Sequence, residues 1–225
     1  MNAKLETSRP PSRGSRRFSA WAGLLVAVTA GGCLTGCMLF NKPAIDATRH
    51  FVLTPLPPAR PAMAHGGMGV GVSQVKLPDY LSNKSLAVRK GTNEIEYLPL
   101  VLWAEDLDTG FQRVLAANLS SLLPTDQIRL STWRSEEVAA EVEVTIQQFD
   151  VDSSGRAALV AWWRVLAPGK EKTFKAGVSR LSRQGPVPAA DPSGAVATLS
   201  GLMAELCREL AQALKGSEAA RDRPQ

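Results

Sequence analysis

Ala157-Ala158-Leu159-Val160-Ala161-Trp162-Trp163-Arg164-Val165-Leu166 is an unbroken run of strand-forming and small apolar residues, interrupted by one arginine and no turn residue. It is bounded by Asp152-Ser153-Ser154-Gly155 and Pro168-Gly169-Lys170, both turn signals, and beyond these lie two further strand-like runs over residues 141–151 and 172–182. The simplest arrangement is an antiparallel meander of three long strands. Successive side chains of a strand point to opposite faces, which puts Leu159, Ala161, Trp163 and Val165 on one side and Val160, Trp162 and Leu166 on the other. A strand apolar on both faces needs cover on both. The adjacent pair Trp162 and Trp163 must therefore divide between the two faces. We take both as candidate interface residues, with stability at stake for one and association for the other, and which is which left open.

Outside the meander the period changes. Leu107, Phe111, Leu115, Leu119, Leu122 and Leu123 form one apolar helical stripe that Pro124 ends. Val196, Leu199, Met203, Leu206, Leu210 and Leu214 form a second, with Asp191 and Pro192 placed as capping and first-turn residues and Gly216 as its stop. Shorter strands are expected at His50-Phe51-Val52-Leu53, around Val70, Val72 and Val75, in a hairpin of residues 86–89 and 94–98 about Gly91-Thr92-Asn93, and over residues 128–132. Strands, helix, strands, helix is an α+β order. The expected fold is a mixed or antiparallel sheet with two main helices packed on one face.

The amino-terminal part reads as an export signal. A basic lead with Lys4, Arg9, Arg13, Arg16 and Arg17 precedes an apolar stretch over about residues 20–29 and then Leu34-Thr35-Gly36-Cys37, a lipobox-like tetrapeptide. The stretch falls short of the about 20 apolar residues that span a bilayer. Cys37 is the expected lipidation site, carrying two or three acyl chains such as palmitate, since a single chain binds membranes only marginally. Cys33, after Ala30-Gly31-Gly32, is the competing site with the weaker match, and an ordinary signal cleavage with Cys37 as an incidental thiol is the plainer reading. Ser15-Arg16-Arg17-Phe18 resembles the start of a twin-arginine signal.

The expected division is a signal over residues 1–36, a tether over 37–47, one domain over 48–215 and a disordered charged tail over 216–225. Removing the signal takes away five basic residues and one acidic residue, so the formal net charge falls from +5 to +1. The remaining charges are interspersed, and no basic face for a nucleic acid is expected. Of three cysteines, only Cys207 then remains as a free thiol, which precludes an intramolecular disulfide in the mature chain.

Catalytic constellations are scarce. The chain has two histidines, His50 and His65, no nucleophile-elbow sequence and no paired Cys or His spacing for a metal. No catalytic residue, metal or cofactor is expected. The run from Gly66 to Gly71 lacks the strand-before, helix-after context of a phosphate cradle and reads as a loop. Glu105, Asp106 and Asp108 read as acids at the positive end of a helix rather than as paired catalytic groups. Cys207, amid an apolar stripe, reads as a small buried hydrophobe.

Several segments together resemble the PqiC lipoproteins, also called ABC-type transport auxiliary lipoproteins. They are the lipobox at Cys37, His50-Phe51-Val52-Leu53, Val75-Lys76-Leu77-Pro78-Asp79-Tyr80-Leu81, Leu102-Trp103-Ala104-Glu105-Asp106-Leu107, and the helix through Phe111, Val114-Leu115-Ala116-Ala117-Asn118-Leu119-Ser120 and Leu123-Pro124. The match runs over about residues 37–215. His50-Phe51 stands where an aromatic pair is usual, and the segment from Pro55 to Gly71 is unusually rich in proline.

The resemblance implies a non-enzymatic subunit of a system that moves lipids between two membranes. Its implied partners are a periplasmic protein with mammalian-cell-entry (MCE) domains and an integral membrane transport component, and it is expected to self-associate into a ring. Met38, rather than aspartate, after the lipidated cysteine implies the outer membrane. The alternative is a periplasmic lipid carrier holding an acyl chain in its own cavity. A hydrolase using His50 is a third reading.

Overall fold

The computed structural model describes residues 47–58, 69–123, 125, 127–170 and 172–221. The signal, Cys37 and the tether through residue 46, His65 and Gly66 to Met68 lie outside the described residues.

The meander forms as its turn signals demand. β6 (Ala140–Asp152), β7 (Arg156–Leu166) and β8 (Thr173–Gln184) pair antiparallel in sequence order, with Thr145 opposite Trp162, Trp162 opposite Val178, and Trp163 between Val144 and Gly177. At the β6–β7 turn the Asp152 carboxylate accepts from the Ser154 and Arg156 backbone N–H groups and from the Ser154 hydroxyl, at 2.8, 2.9 and 2.6 Å. Burial opposes the charged form of Asp152, but those donors outweigh it and hold the carboxyl below its ordinary value. Gly155 has φ 92°, and a Cβ there would lie 2.5 Å from the carbonyl oxygens of Gly185 and Pro186. Glycine is required at that corner.

β6 is the hub of the sheet. Its second edge is shared by two strands end to end: β2 (Val70–Val72) runs parallel to its start, with Val70 opposite Ala140, and β3 (Ser85–Arg89) runs parallel to its end, with Val88 opposite Val151. β5 (Ile128–Leu130) extends one branch in parallel to β2, while β4 (Ile95–Trp103) and β1 (Arg49–Phe51) extend the other. The result is a mixed sheet of eight strands among the described residues.

A bulge between Ile146 and Gln148 changes the phase of β6. Before it Val142, Val144 and Ile146 face the core, and after it Phe149 and Val151 do. One inserted residue flips the inward set of a strand, which is why the apolar positions switch from even to odd numbers.

α1 (Leu107–Leu122) and α2 (Pro192–Arg221) carry the two apolar stripes. Phe111 of α1 meets Phe149 of β6 edge to face, with ring centroids 4.6 Å apart. α2 packs on β7, β8 and α1, and its Leu199, Leu202, Met203, Leu206 and Leu210 are fully buried. Asp191 caps α2 as its sequence position suggests, its carboxylate accepting the Gly194 N–H at 2.9 Å. This is the expected α+β fold.

The short strands differ from the sequence reading by one to three residues at their ends, and two boundaries differ by more. β4 continues past Pro99 to Trp103, because Leu100 adopts φ 62° and the chain bulges outward before rejoining the ladder at Leu102 opposite Ser85. α2 does not stop at Gly216 but runs to Arg221, where a disordered tail was expected from residue 216. Gly216 keeps a negative φ, and an interior glycine costs a helix about 1 kcal/mol without ending it.

Candidate functional site

The Trp162-Trp163 pair resolves by register. Trp163 faces the helices and is 8% exposed; Trp162 faces away and is 54% exposed. Room for the Trp163 ring is made by Gly177, whose Cβ would sit 2.3 Å from it. The Trp163 indole N–H donates to the Ser179 hydroxyl at 2.9 Å, and that hydroxyl donates in turn to Glu209 of α2. The chain of bonds ties sheet to helix with no buried donor left over.

On the opposite face no helix among the described residues lies above Trp162. Val178, 47% exposed, stands opposite it on β8, and Thr145 flanks it on β6. The Glu143–Arg164 ion pair crosses the same face one position further along the strands. A cleft of about 490 Å³ runs from here to Ser73, Gln74 and Lys76. A large exposed aromatic in an apolar setting, bordered by an ion pair and polar side chains, has the anatomy of a contact surface.

The turn in Leu77-Pro78-Asp79-Tyr80-Leu81 has a structural task that its sequence alone did not reveal. Tyr80 lies in a 3-10 turn over Asp79–Ser82 that spans the gap between β2 and β3 along the edge of β6. Its hydroxyl accepts the Phe149 N–H at 3.1 Å, just past the β6 bulge, and donates to the Asp150 carboxylate at 3.0 Å. Asp150, 2% exposed, also takes Arg89 Nη2 at 2.6 Å and Gln148 Nε2 at 2.9 Å. Burial, with the Asp150 charge adding to it and the Phe149 N–H opposing it, pushes the Tyr80 hydroxyl up to about 12. The bond to Asp150 likewise raises Arg89 above its ordinary value. The cluster contains no free nucleophile and acts as a fastener.

The acids at the start of α1 are each engaged. Glu105 pairs with Arg113 and Asp106 with Lys84, while Asp108 accepts the Thr109 N–H. Asp106 occupies the N-cap position, yet its side chain makes no cap bond, so capping describes its place and not its bonding. Next to them a cleft of about 260 Å³ is lined by Leu77, Leu81, Trp103 and Leu107, which joins the two most distinctive motifs of the chain in one place. Gly69 and Gly71 serve close packing: a Cβ on Gly71 would sit 2.4 Å from the Trp133 ring. His50 is exposed on strand β1. Among the described residues no cluster of His, Cys, Asp or Glu could hold a metal.

Cys207 is fully buried on α2, accepting from Asn118 Nδ2 at 3.4 Å, and burial pushes its thiol up to about 12. The thiolate is the reactive form. Native protein should resist a maleimide or iodoacetamide at neutral pH and react at Cys207 only after denaturation; fast labelling in the folded state would contradict this packing.

The family described as "ABC-type transport auxiliary lipoprotein component" matches residues 51–211. The chain belongs to that family. An auxiliary lipoprotein of this kind has a role in transport, and the family is not one of enzymes. No curated protein matches the chain. Among solved structures, an uncharacterized protein aligns with a TM-score of 0.60 at 20% identity, covering 74% of this chain and 98% of its own. A Xanthomonas campestris protein with the family-model DUF330 aligns at 0.60 and 13% identity, covering 77% of this chain and 99% of its own. At these identities the likeness shows the fold, which the auxiliary lipoprotein shares with both. No helix among the described residues is long and apolar enough to cross a membrane.

Proposed function

We propose that this auxiliary lipoprotein is an outer-membrane-anchored docking subunit of an MCE-type intermembrane lipid transport system. Cys37 holds it to the membrane, and the face bearing Trp162 meets a neighbouring copy in a ring that receives the periplasmic conduit. The observation that carries this reading is the pairing of family membership with a sheet face that no described helix covers, on which Trp162 and Val178 are 54% and 47% exposed. The domain makes contacts and no reaction. An integral membrane component at the inner membrane completes the system.

The anchor and the partner are tested separately. Cys37→Ser should yield a folded domain that leaves the membrane fraction; retention in membranes would mean that Cys33 is modified or that a protein partner holds it. With lipidation intact, the full chain should co-purify with an MCE-domain protein from native membranes, and consistent failure to do so would sink the docking role. A second reading, a carrier binding an acyl chain, finds less support. The enclosed space between sheet and helices is filled by residues such as Phe111, Phe149, Met203 and Leu206, all fully buried.

A further inference from the structure

Leu100 combines three properties that conflict locally. It lies in the left-handed region with φ 62°, it is 52% exposed, and it follows Pro99, itself exposed, inside a strand. For a side chain with a Cβ that conformation costs about 1–2 kcal/mol, and glycine or asparagine would adopt it more cheaply. An apolar side chain held outward in a strained bulge contributes little to folding. Such local conflicts point to function when their surroundings agree.

The surroundings here are set by the parallel pairing of β1 and β4. Arg49 lies opposite Val101, so the chain enters the sheet directly beside Leu100. Thr48 is only eleven positions after Cys37, and that length of chain fully extended reaches at most about 40 Å. The bulge is therefore on the part of the domain tied most closely to the anchor. Arg49, exposed with its guanidinium 5.1 Å from the Phe51 ring, puts a cation on the neighbouring strand one register position from Leu100. An apolar tip beside a cation is the chemistry that suits an anionic lipid surface.

Resting on the reading of Cys37 as the anchor, we infer that the Pro99-Leu100 bulge touches the bilayer and orients the domain on it. Acyl chains supply the membrane affinity, and the bulge fixes which end of the sheet faces the lipid. This leaves the Trp162 face free for protein contacts.

The test uses the full chain, lipidated at Cys37 and reconstituted into phosphatidylethanolamine–phosphatidylglycerol vesicles. Leu100→Cys and, as control, Asn93→Cys in the β3–β4 turn are each labelled with an environment-sensitive nitrobenzoxadiazole dye; buried Cys207 stays unlabelled. Vesicle flotation with a blue shift and gain in emission at position 100, and none at 93, is the expected result. Flotation without a shift at 100 overturns the bulge contact while the anchor reading survives. Loss of flotation means that the anchor reading itself has failed. A shift at 100 of the same size in the Cys37→Ser chain, in buffer without vesicles or detergent, assigns Leu100 to a contact between copies and also overturns the inference.

Discussion

Trp163→Ala is expected to lower the stability of the domain by about 3–5 kcal/mol, the usual cost of removing a large aromatic from a core. The ring is 8% exposed, fills the space that Gly177 leaves open, and donates to Ser179. Its loss opens a cavity between β7 and α2 that close-packed neighbours can only partly close. Against a typical domain stability of 5–15 kcal/mol this is a large share. Urea denaturation should show a lower midpoint with an unchanged slope. Trp163→Phe should recover part of the loss, since it restores ring volume without the N–H.

Trp162→Ala, one residue away, should behave in the opposite manner. Its side chain is 54% exposed on the face away from the helices, so the midpoint should stay within about 0.5 kcal/mol, as for ordinary surface changes. Self-association, read by sedimentation velocity, should instead weaken, because exposed tryptophans at the centre of contact surfaces carry much of their binding energy. If both variants lose folding equally, the division of the pair between core and interface is wrong.

That division shows how far the sequence alone could go. Alternation along β7 requires Trp162 and Trp163 to part company, but only the partner strands and the side on which α2 packs decide which one goes inward. The meander and both helices were legible because each is long enough to repeat a period. The parallel edges were not: β1, β2 and β5 are three residues each, too short for alternation to identify a partner. β4 hid its continuation because Pro99 reads as a strand end, and only the left-handed Leu100 allows the ladder to resume. At Gly216 the error ran the other way, since glycine stops a helix only where it turns left-handed. Cys37 lies outside the described residues, so its role rests on the tetrapeptide that it ends. The acids at Glu105, Asp106 and Asp108 were legible as helix-start residues, though their ion-pair partners came from elsewhere in the fold.

The Asp150 cluster was invisible for a further reason: its members are 61 and 70 residues apart in the chain, and an aspartate in an alternating strand reads as solvent-facing. In the fold it is the point where Tyr80, Arg89 and Gln148 converge on a carboxylate that water does not reach. Asp150→Ala should therefore cost about 3–5 kcal/mol, because it leaves the Arg89 charge and the Tyr80 hydroxyl without their acceptor. Tyr80→Phe should cost about 1–3 kcal/mol, through the Phe149 N–H that it leaves unpaired and the bond to Asp150 that it removes. The double variant should cost less than the sum of the two, since they share one network.

Tyr80 also gives the cluster a signature in pH. Its hydroxyl ionises near 12 in the folded domain against an ordinary 10.0, so the folded state holds the proton more tightly. The resulting stabilisation is complete below pH 10 and disappears as pH rises from 10 to about 12. Denaturation midpoints measured across that window should fall for the native chain and fall less for Tyr80→Phe. Were Asp150→Ala to fold with an unchanged midpoint and lose only co-purification with a partner, the cluster would be a binding site and not a fastener. The buried acceptor geometry argues for the fastener, because Tyr80 and Arg89 come from elements whose place on β6 they help to fix, while Gln148 binds the carboxylate from within β6.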